Sequence, residues 1–161
     1  MRKYTILSIL LMILLDFGGM QAQTIAMRIP DSTLVSGSII DIPVYTDNTL
    51  SGNNIMSYML QLTFNPYCFQ PISVIIAGTL SAPFGSPTVN TSIPGIITIA
   101  AAGTTALNGT GKFIYIRFKA LQPGSFYLSF SGSNYNFFNE GIPAMSYSNG
   151  LINISTPPSI A

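Results

Sequence analysis

The chain has 161 residues, of which 48% are hydrophobic and 7% are charged, so we expect one domain with one sizeable core. Arg2, Lys3 and Asp16 lie in the first 22 residues, which leaves four basic and four acidic side chains in the rest of the chain. A net charge of zero there excludes the strong electrostatic attraction on which nucleic-acid binding depends, so no nucleic-acid partner is expected.

The N-terminus has the three regions of a secretory signal. Two basic residues precede an apolar run over residues 6–15, and Ala22 provides the small residue that signal peptidase prefers. The run is too short to span a bilayer comfortably, and Asp16 ends it early, which argues against the alternative of a retained signal anchor. We therefore predict a signal peptide over residues 1–22, no membrane span after its cleavage, and a protein that is secreted or held at the cell surface.

From residue 23 onward the sequence has the pattern of β-strands. Apolar and polar side chains alternate with a period of two, as where Ile114, Ile116 and Phe118 fall on one face and Tyr115 and Arg117 on the other. The pattern predicts nine strands, at residues 24–29, 38–46, 56–64, 69–77, 87–92, 95–102, 114–119, 125–131 and 151–154.

Turn signals separate these runs. Asn108-Gly109 and Asn149-Gly150 adopt positive φ at low cost, and Pro43 indicates an edge or a bulge in the second run. Short strands at spacings of about ten residues, without a convincing helical period, are typical of an antiparallel β-sandwich or jelly roll. We predict such an all-β domain over residues 23–155, followed by a Pro- and Ser-containing linker or tail over residues 156–161.

The sequence contains few of the side chains that commonly take part in catalysis. The chain has no His and one Cys, so neither a catalytic triad nor a zinc site can be assembled. Cys68 is expected to be a buried structural thiol. Asp31, Asp47 and Glu140 stand in turn-like contexts that explain them better than glycoside hydrolysis or calcium binding does. We therefore predict that the protein is not an enzyme and uses no metal or cofactor.

The order of the strand motifs carries a resemblance. GSIIDIPVYTDN, YMLQLTFNPYCFQPISVIIAG, PGIITIAAAG, GTGKFIYIRFKA, PGSFYLSFSG and SNGLINI follow one another over residues 24–155, and together they resemble the cohesin domain. That family is a nine-stranded jelly roll of secreted polysaccharide-degrading systems. The resemblance implies a non-catalytic binding module that holds dockerins, which are small calcium-loaded helical domains carried by glycoside hydrolases and other secreted proteins.

In that family the dockerin lies across a sheet of four strands. On this chain the resemblance assigns to that sheet, in order, residues 125–131, 56–64, 95–102 and 87–92. Alternation then points eight side chains outward, which we expect to contact the partner: Ser57, Met59, Gln61, Thr63, Thr98, Ala100, Tyr127 and Ser129. Because small and polar residues on an exposed sheet need no partner, a purely structural face is the alternative for each of them.

The chain departs from the family at one position of this face. Met59 lies where many cohesins carry an Asp that hydrogen-bonds the dockerin helix, and no nearby outward residue restores a carboxylate. The face is expected to be flat and nearly uncharged, which favours an apolar contact over ion pairs.

Two alternatives remain open at this point. The cohesin jelly roll is similar to that of cellulose-binding modules, so a polysaccharide is an alternative ligand. Such modules stack exposed aromatics on sugar rings, but the chain has no Trp. The available aromatics are Tyr45, Tyr115, Tyr127, Tyr135 and Tyr147, which half-buried packing also explains. The other alternative is a structural module of a larger exported protein.

Overall fold

The protein is described by a computed structural model that covers residues 23–158. The predicted signal peptide and the last three residues of the predicted tail lie outside the described residues. The described chain contains twelve strands and one turn of 3-10 helix at Ala82–Phe84. The strands are β1 (Ile25–Arg28), β2 (Ser32–Val35), β3 (Ile39–Thr46), β4 (Ile55–Thr63), β5 (Phe69–Ile75), β6 (Thr88–Asn90), β7 (Ile96–Leu107), β8 (Gly111–Ala120), β9 (Gly124–Phe130), β10 (Phe137–Phe138), β11 (Met145–Ser148) and β12 (Gly150–Ser155).

The strands form the two sheets of a sandwich. One sheet has five strands in the order β11-β1-β3-β8-β5. The other has seven, in the order β2-β12-β9-β4-β7-β6, with β10 attached to β4. The all-β class and the sandwich are confirmed. The prediction of nine antiparallel strands was wrong in two details, since there are twelve strands and two of the pairs, β1–β11 and β2–β12, are parallel.

The start of the domain explains part of this difference. The run predicted as one strand over residues 24–29 ends at Arg28, and Pro30-Asp31 carries the chain to the opposite sheet. There β2 pairs with β12, and Asp31 accepts a hydrogen bond from the backbone N–H of Leu151 at 2.7 Å. Because Pro lacks an N–H, the ladder of the first sheet stops at this point and the second can begin. β10 and β11 are too short for a period-2 signal.

The alternation of the long strands fills the core from both sheets. In β3 and β8 the side chains of Ile42, Val44 and Ile116 are fully buried, as are Leu60 and Ile99 from β4 and β7. Burying one such side chain stabilises the fold by roughly 1.5–3 kcal/mol. The two sheets therefore present opposite, solvent-facing surfaces to any partner.

Aromatic rings join the core at one end of the sandwich. The ring of Phe118 stacks on that of Phe69, with centroids 4.4 Å apart, and meets the edge of Phe64 at 5.4 Å. Phe64 directly follows β4, whereas Phe118 and Phe69 belong to the five-stranded sheet. This cluster therefore ties the two sheets together.

The two turns predicted from Asn-Gly pairs connect one sheet to the other and do not close hairpins within a sheet. β7 continues past residue 102, where the predicted strand ends, because Leu107 still pairs with Ile55. Asn108-Gly109 then leads to β8 in the other sheet, with Gly109 at a φ of 95°. Asn149 likewise links β11 to β12 across the sandwich. The signal correctly predicted a reversal, but pairing depends on where the core lies.

Two smaller predictions have different outcomes. Pro43 does lie beside a bulge, since the pairing of β3 with β8 shifts register between Val44 and Tyr45. The expectation of a buried Cys68 was wrong, because its side chain is only partly buried at the entrance to β5.

Candidate binding face

The sheet expected to carry the partner exists in the expected order. β9, β4, β7 and β6 are neighbours, and they correspond to residues 125–131, 56–64, 95–102 and 87–92. The register places Met59 opposite Ala100 and Gln61 opposite Thr98. Thr88 in turn lies opposite Ala100. The predicted residues of β4 and β7 therefore form continuous rows across the sheet.

Alternation along β4 has the predicted phase. Tyr58 and Leu60 are buried, whereas Met59 and Gln61 between them are partly exposed. The side chain of Gln61 donates a hydrogen bond from Nε2 to Oγ1 of Thr98 at 3.0 Å. This bond fixes a polar row next to the row of Met59 and Ala100.

All eight predicted residues lie on the outer side of this sheet, and Tyr127 lies at one end of the set. Ser57, Met59, Gln61 and Thr63 on β4 share a face with Thr98 and Ala100 on β7, and Ser129 is the register partner of Thr63. Tyr127, which is 61% exposed, lies two residues further along β9, beyond the end of β4. The register separates it from Met59 by six residues of strand, which is about 20 Å.

The segment over residues 131–144 contributes to this face, and the sequence patterns missed it. β9 pairs with β4 only at Leu62 and Thr63, so the rest of that edge of β4 is open to another strand. β10 fills it and places Phe137 opposite Met59. The side chain of Phe137 is partly exposed, whereas that of Phe138 is fully buried. Phe137 therefore extends the row of Met59 and Ala100 by one apolar side chain.

Two asparagines attach this segment to β4. Asn136, only 2% exposed, accepts a hydrogen bond from the backbone N–H of Gln61 at 2.9 Å. Asn139, at a φ of 47°, accepts one from the N–H of Met56 at 2.9 Å. A pair of adjacent phenylalanines flanked by asparagines was the sequence signal, but a two-residue strand has no period to detect.

The 3-10 turn packs against the core side of β7, behind the candidate face. Its Phe84 ring lies against Gly103 of β7, where a Cβ atom would overlap the ring. The Tyr58 hydroxyl and that of Ser81 form a buried hydrogen bond of 2.7 Å, and burial raises the pKa of Tyr58. This packing explains why Gly103 lies inside a long strand, where glycine is otherwise unfavourable.

The two sheets differ in the number of charged side chains on their strands. The strands of the seven-stranded sheet contain no Asp, Glu, Lys or Arg. On the five-stranded sheet Arg117 binds Asp41 through two hydrogen bonds of 2.7 and 2.8 Å, and these lower the pKa of Asp41. The candidate face is therefore neutral, as predicted.

The described chain has neither a group of metal-ligating side chains nor a helix suited to a membrane. Within residues 23–158 no three His, Cys, Asp or Glu side chains are grouped so that they could hold a metal ion. No helix in the described part of the chain has the length and hydropathy needed to cross a membrane.

A family model matches most of this sandwich. The model of the cohesin domain matches residues 25–154. The chain belongs to the cohesin family. Comparison with curated proteins finds no significant match.

Solved structures show the same fold as this cohesin domain. The third cohesin of ScaC from Acetivibrio cellulolyticus, in complex with the ScaB dockerin, is 16% identical, with a TM-score of 0.69 over 81% of this chain and 99% of that one. The seventh ScaB type I cohesin from Pseudobacteroides cellulosolvens is 19% identical, with a TM-score of 0.67 over 86% and 96%. A non-cellulosomal cohesin from Archaeoglobus fulgidus is 16% identical, with a TM-score of 0.60 over 83% and 92%.

Proposed function

We propose that this cohesin domain is a secreted or surface-held, non-catalytic module that binds a dockerin of another exported protein through the face of β9, β4, β7 and β6. The main support for this proposal is that the chain has a cohesin sandwich. The sheet that is expected to bind the partner is exposed, and its strands are in the expected order. Similar cohesins have been solved in complex with dockerins. Polysaccharide-degrading enzymes are the proposed cargo.

The centre of the contact is the apolar row of Phe137, Met59 and Ala100. These residues are register partners on three adjacent strands, so their side chains lie side by side across the sheet. A thioether adapts to the shape of its partner, and buried aromatic side chains dominate many interfaces. The polar row of Gln61 and Thr98 lies next to it and excludes water from its edge.

Tyr127 supplies a second anchor at the other end of the face. A helix rises 1.5 Å per residue, so about 14 residues of partner helix would span the roughly 20 Å between Met59 and Tyr127. Because the sheet between them has no charged side chain, association should depend little on ionic strength.

The test is calorimetry against the dockerins encoded in the same genome. Met59→Ala and Tyr127→Ala should each weaken binding by about 1–3 kcal/mol, because each removes a contact that forms only with the partner. Thermal melts should stay within about 0.5 kcal/mol of the unsubstituted protein, because both side chains face solvent.

Tyr45→Ala provides the matched control for Tyr127→Ala. Tyr45 is also an outward tyrosine, but it belongs to the five-stranded sheet, so its removal should leave dockerin affinity unchanged. Binding to no dockerin of the panel, or equal losses from both tyrosines, would contradict the proposed face.

A further inference from the structure

The outer surface of the five-stranded sheet collects every basic side chain of the described chain. Arg28 lies on β1, and Lys112, Arg117 and Lys119 lie on β8. Register places Arg28 opposite Tyr45, which in turn lies opposite Lys112. All four point away from the core, since the residues that alternate with them are buried.

Only two of these cations are neutralised by carboxylates. Arg117 pairs with Asp41 at 2.7 Å, and Arg28 pairs with Asp47 at 3.0 Å. Within residues 23–158, neither Lys112 nor Lys119 forms an ion pair. Four cations and two carboxylates leave this surface with a net charge of 4 − 2 = +2.

Two tyrosines hold cations against the sheet. The guanidinium carbon of Arg28 lies 4.8 Å from the ring centroid of Tyr45, and the Nζ atom of Lys112 lies 5.4 Å from that of Tyr115. Attraction between a cation and a ring face keeps the charge near the surface and lowers the entropy lost when a ligand binds it.

The outward side chains of β8 form a line. Lys112, Tyr115, Arg117 and Lys119 follow one another along one strand, and the two lysines at its ends are about 23 Å apart along an extended strand. Asp41 lies beside the middle of this line as the register partner of Arg117. We name these five side chains the β8 track. Its length suits an extended polymer more than a compact small molecule.

We propose that the β8 track binds a carboxylated polysaccharide, that is, a chain of uronic acid sugars. The sugar carboxylates would meet Lys112 and Lys119, and sugar hydroxyls would donate hydrogen bonds to Asp41 and share them with the Tyr115 hydroxyl. A polymer that carries charge but few hydroxyls would leave the remaining lone pairs of Asp41 and the Tyr115 hydroxyl without partners. This ligand occupies the sheet opposite the proposed dockerin face, so one module would bind both at once.

The test compares two matched ligands by affinity electrophoresis of the purified protein. Polygalacturonate should retard migration, whereas its methyl-esterified form, with the same sugars and no charge, should not. The double variant Lys112→Gln/Lys119→Gln should lose about five- to tenfold in affinity for polygalacturonate, because exposed ion pairs are individually weak. Tyr115→Ala should also weaken retention.

Net charge needs a control of its own. Thr104→Glu/Thr105→Glu changes the net charge by the same two units at exposed positions of β7 on the other sheet. It should leave retention unchanged if the β8 track is the site. Equal losses from both double variants would overturn the proposal, as would equal retention by polyglutamate or by the esterified polymer. Dockerin binding by the lysine variant, followed in parallel, keeps this result separate from the test of the other face.

Discussion

The two sheets of this sandwich share one core and have opposite outer chemistry. The five-stranded sheet carries two ion pairs, Arg28–Asp47 and Arg117–Asp41, and two cations on tyrosine rings. The strands of the seven-stranded sheet carry no charged side chain, and their outer rows consist of apolar, hydroxyl and amide groups. The difference lies entirely on the solvent side, since both sheets bury the same kinds of apolar residue.

This contrast shows how one fold can present two independent surfaces. In a strand, successive side chains point to opposite faces, so an outward residue can change without disturbing the core. The neutral sheet suits a partner selected by shape and apolar contact. The charged sheet suits a ligand that is attracted over a distance and is sensitive to salt.

The largest expected effect comes from a substitution in the core that the two sheets share. Phe118→Ala should destabilise the protein by about 3–5 kcal/mol, because Phe118 is fully buried and packs on Phe64 and Phe69. Urea denaturation measures it, with exposed Ile142→Ala as the control. A loss no larger than that of the control would mean that the cluster does not join the sheets.

The next effect should be confined to the neutral sheet. Asn136→Ala leaves the backbone N–H of Gln61 without its partner and should cost about 1–3 kcal/mol. It should also loosen residues 131–144 and so weaken dockerin binding through Phe137. Hydrogen exchange should rise in this segment and in β4 while β8 stays protected. Faster exchange in β8 as well would contradict the separation of the sheets.

A double-mutant cycle in the dockerin assay tests the geometry of the face. Met59→Ala and Phe137→Ala should couple by about 0.5 kcal/mol or more, because the two residues are register partners. Met59→Ala and Tyr127→Ala should be additive, because about 20 Å of strand separates them. Strong coupling in the second pair would place the two anchors closer together than the register allows.

The smallest expected effect is the contribution of the Asp41–Arg117 ion pair on the charged sheet to stability, and it depends on pH. Arg117 lowers the pKa of Asp41 below its ordinary value of 3.8. A lowered pKa in the folded state means that the pair stabilises the fold above that ordinary value and loses this contribution as the pH falls through the folded pKa.

The unfolding free energies of the unsubstituted protein and Asp41→Asn should therefore differ slightly at neutral pH and converge in acid. Thermal melts across this range measure the difference. A gap that widens in acid would reverse the sign and contradict the effect of Arg117.

The sequence alone determined the class of fold, the phase of each long strand and the absence of charge on the face around Met59. Those properties depend on local alternation, which a period of two displays directly, and the order of motifs was enough to identify the family. It also placed the eight predicted binding residues on the outer side of one sheet.

Only the tertiary structure decided which surfaces these residues form. Three placements follow from pairing between distant segments: Phe137 lies beside Met59, Tyr127 lies beyond the end of β4, and the basic residues within residues 23–158 share the opposite sheet. Turn signals such as Asn108-Gly109 predict a reversal but not the sheet that the chain enters next. That choice depends on which edge is open and which apolar face still needs burial, and both are properties of the assembled core.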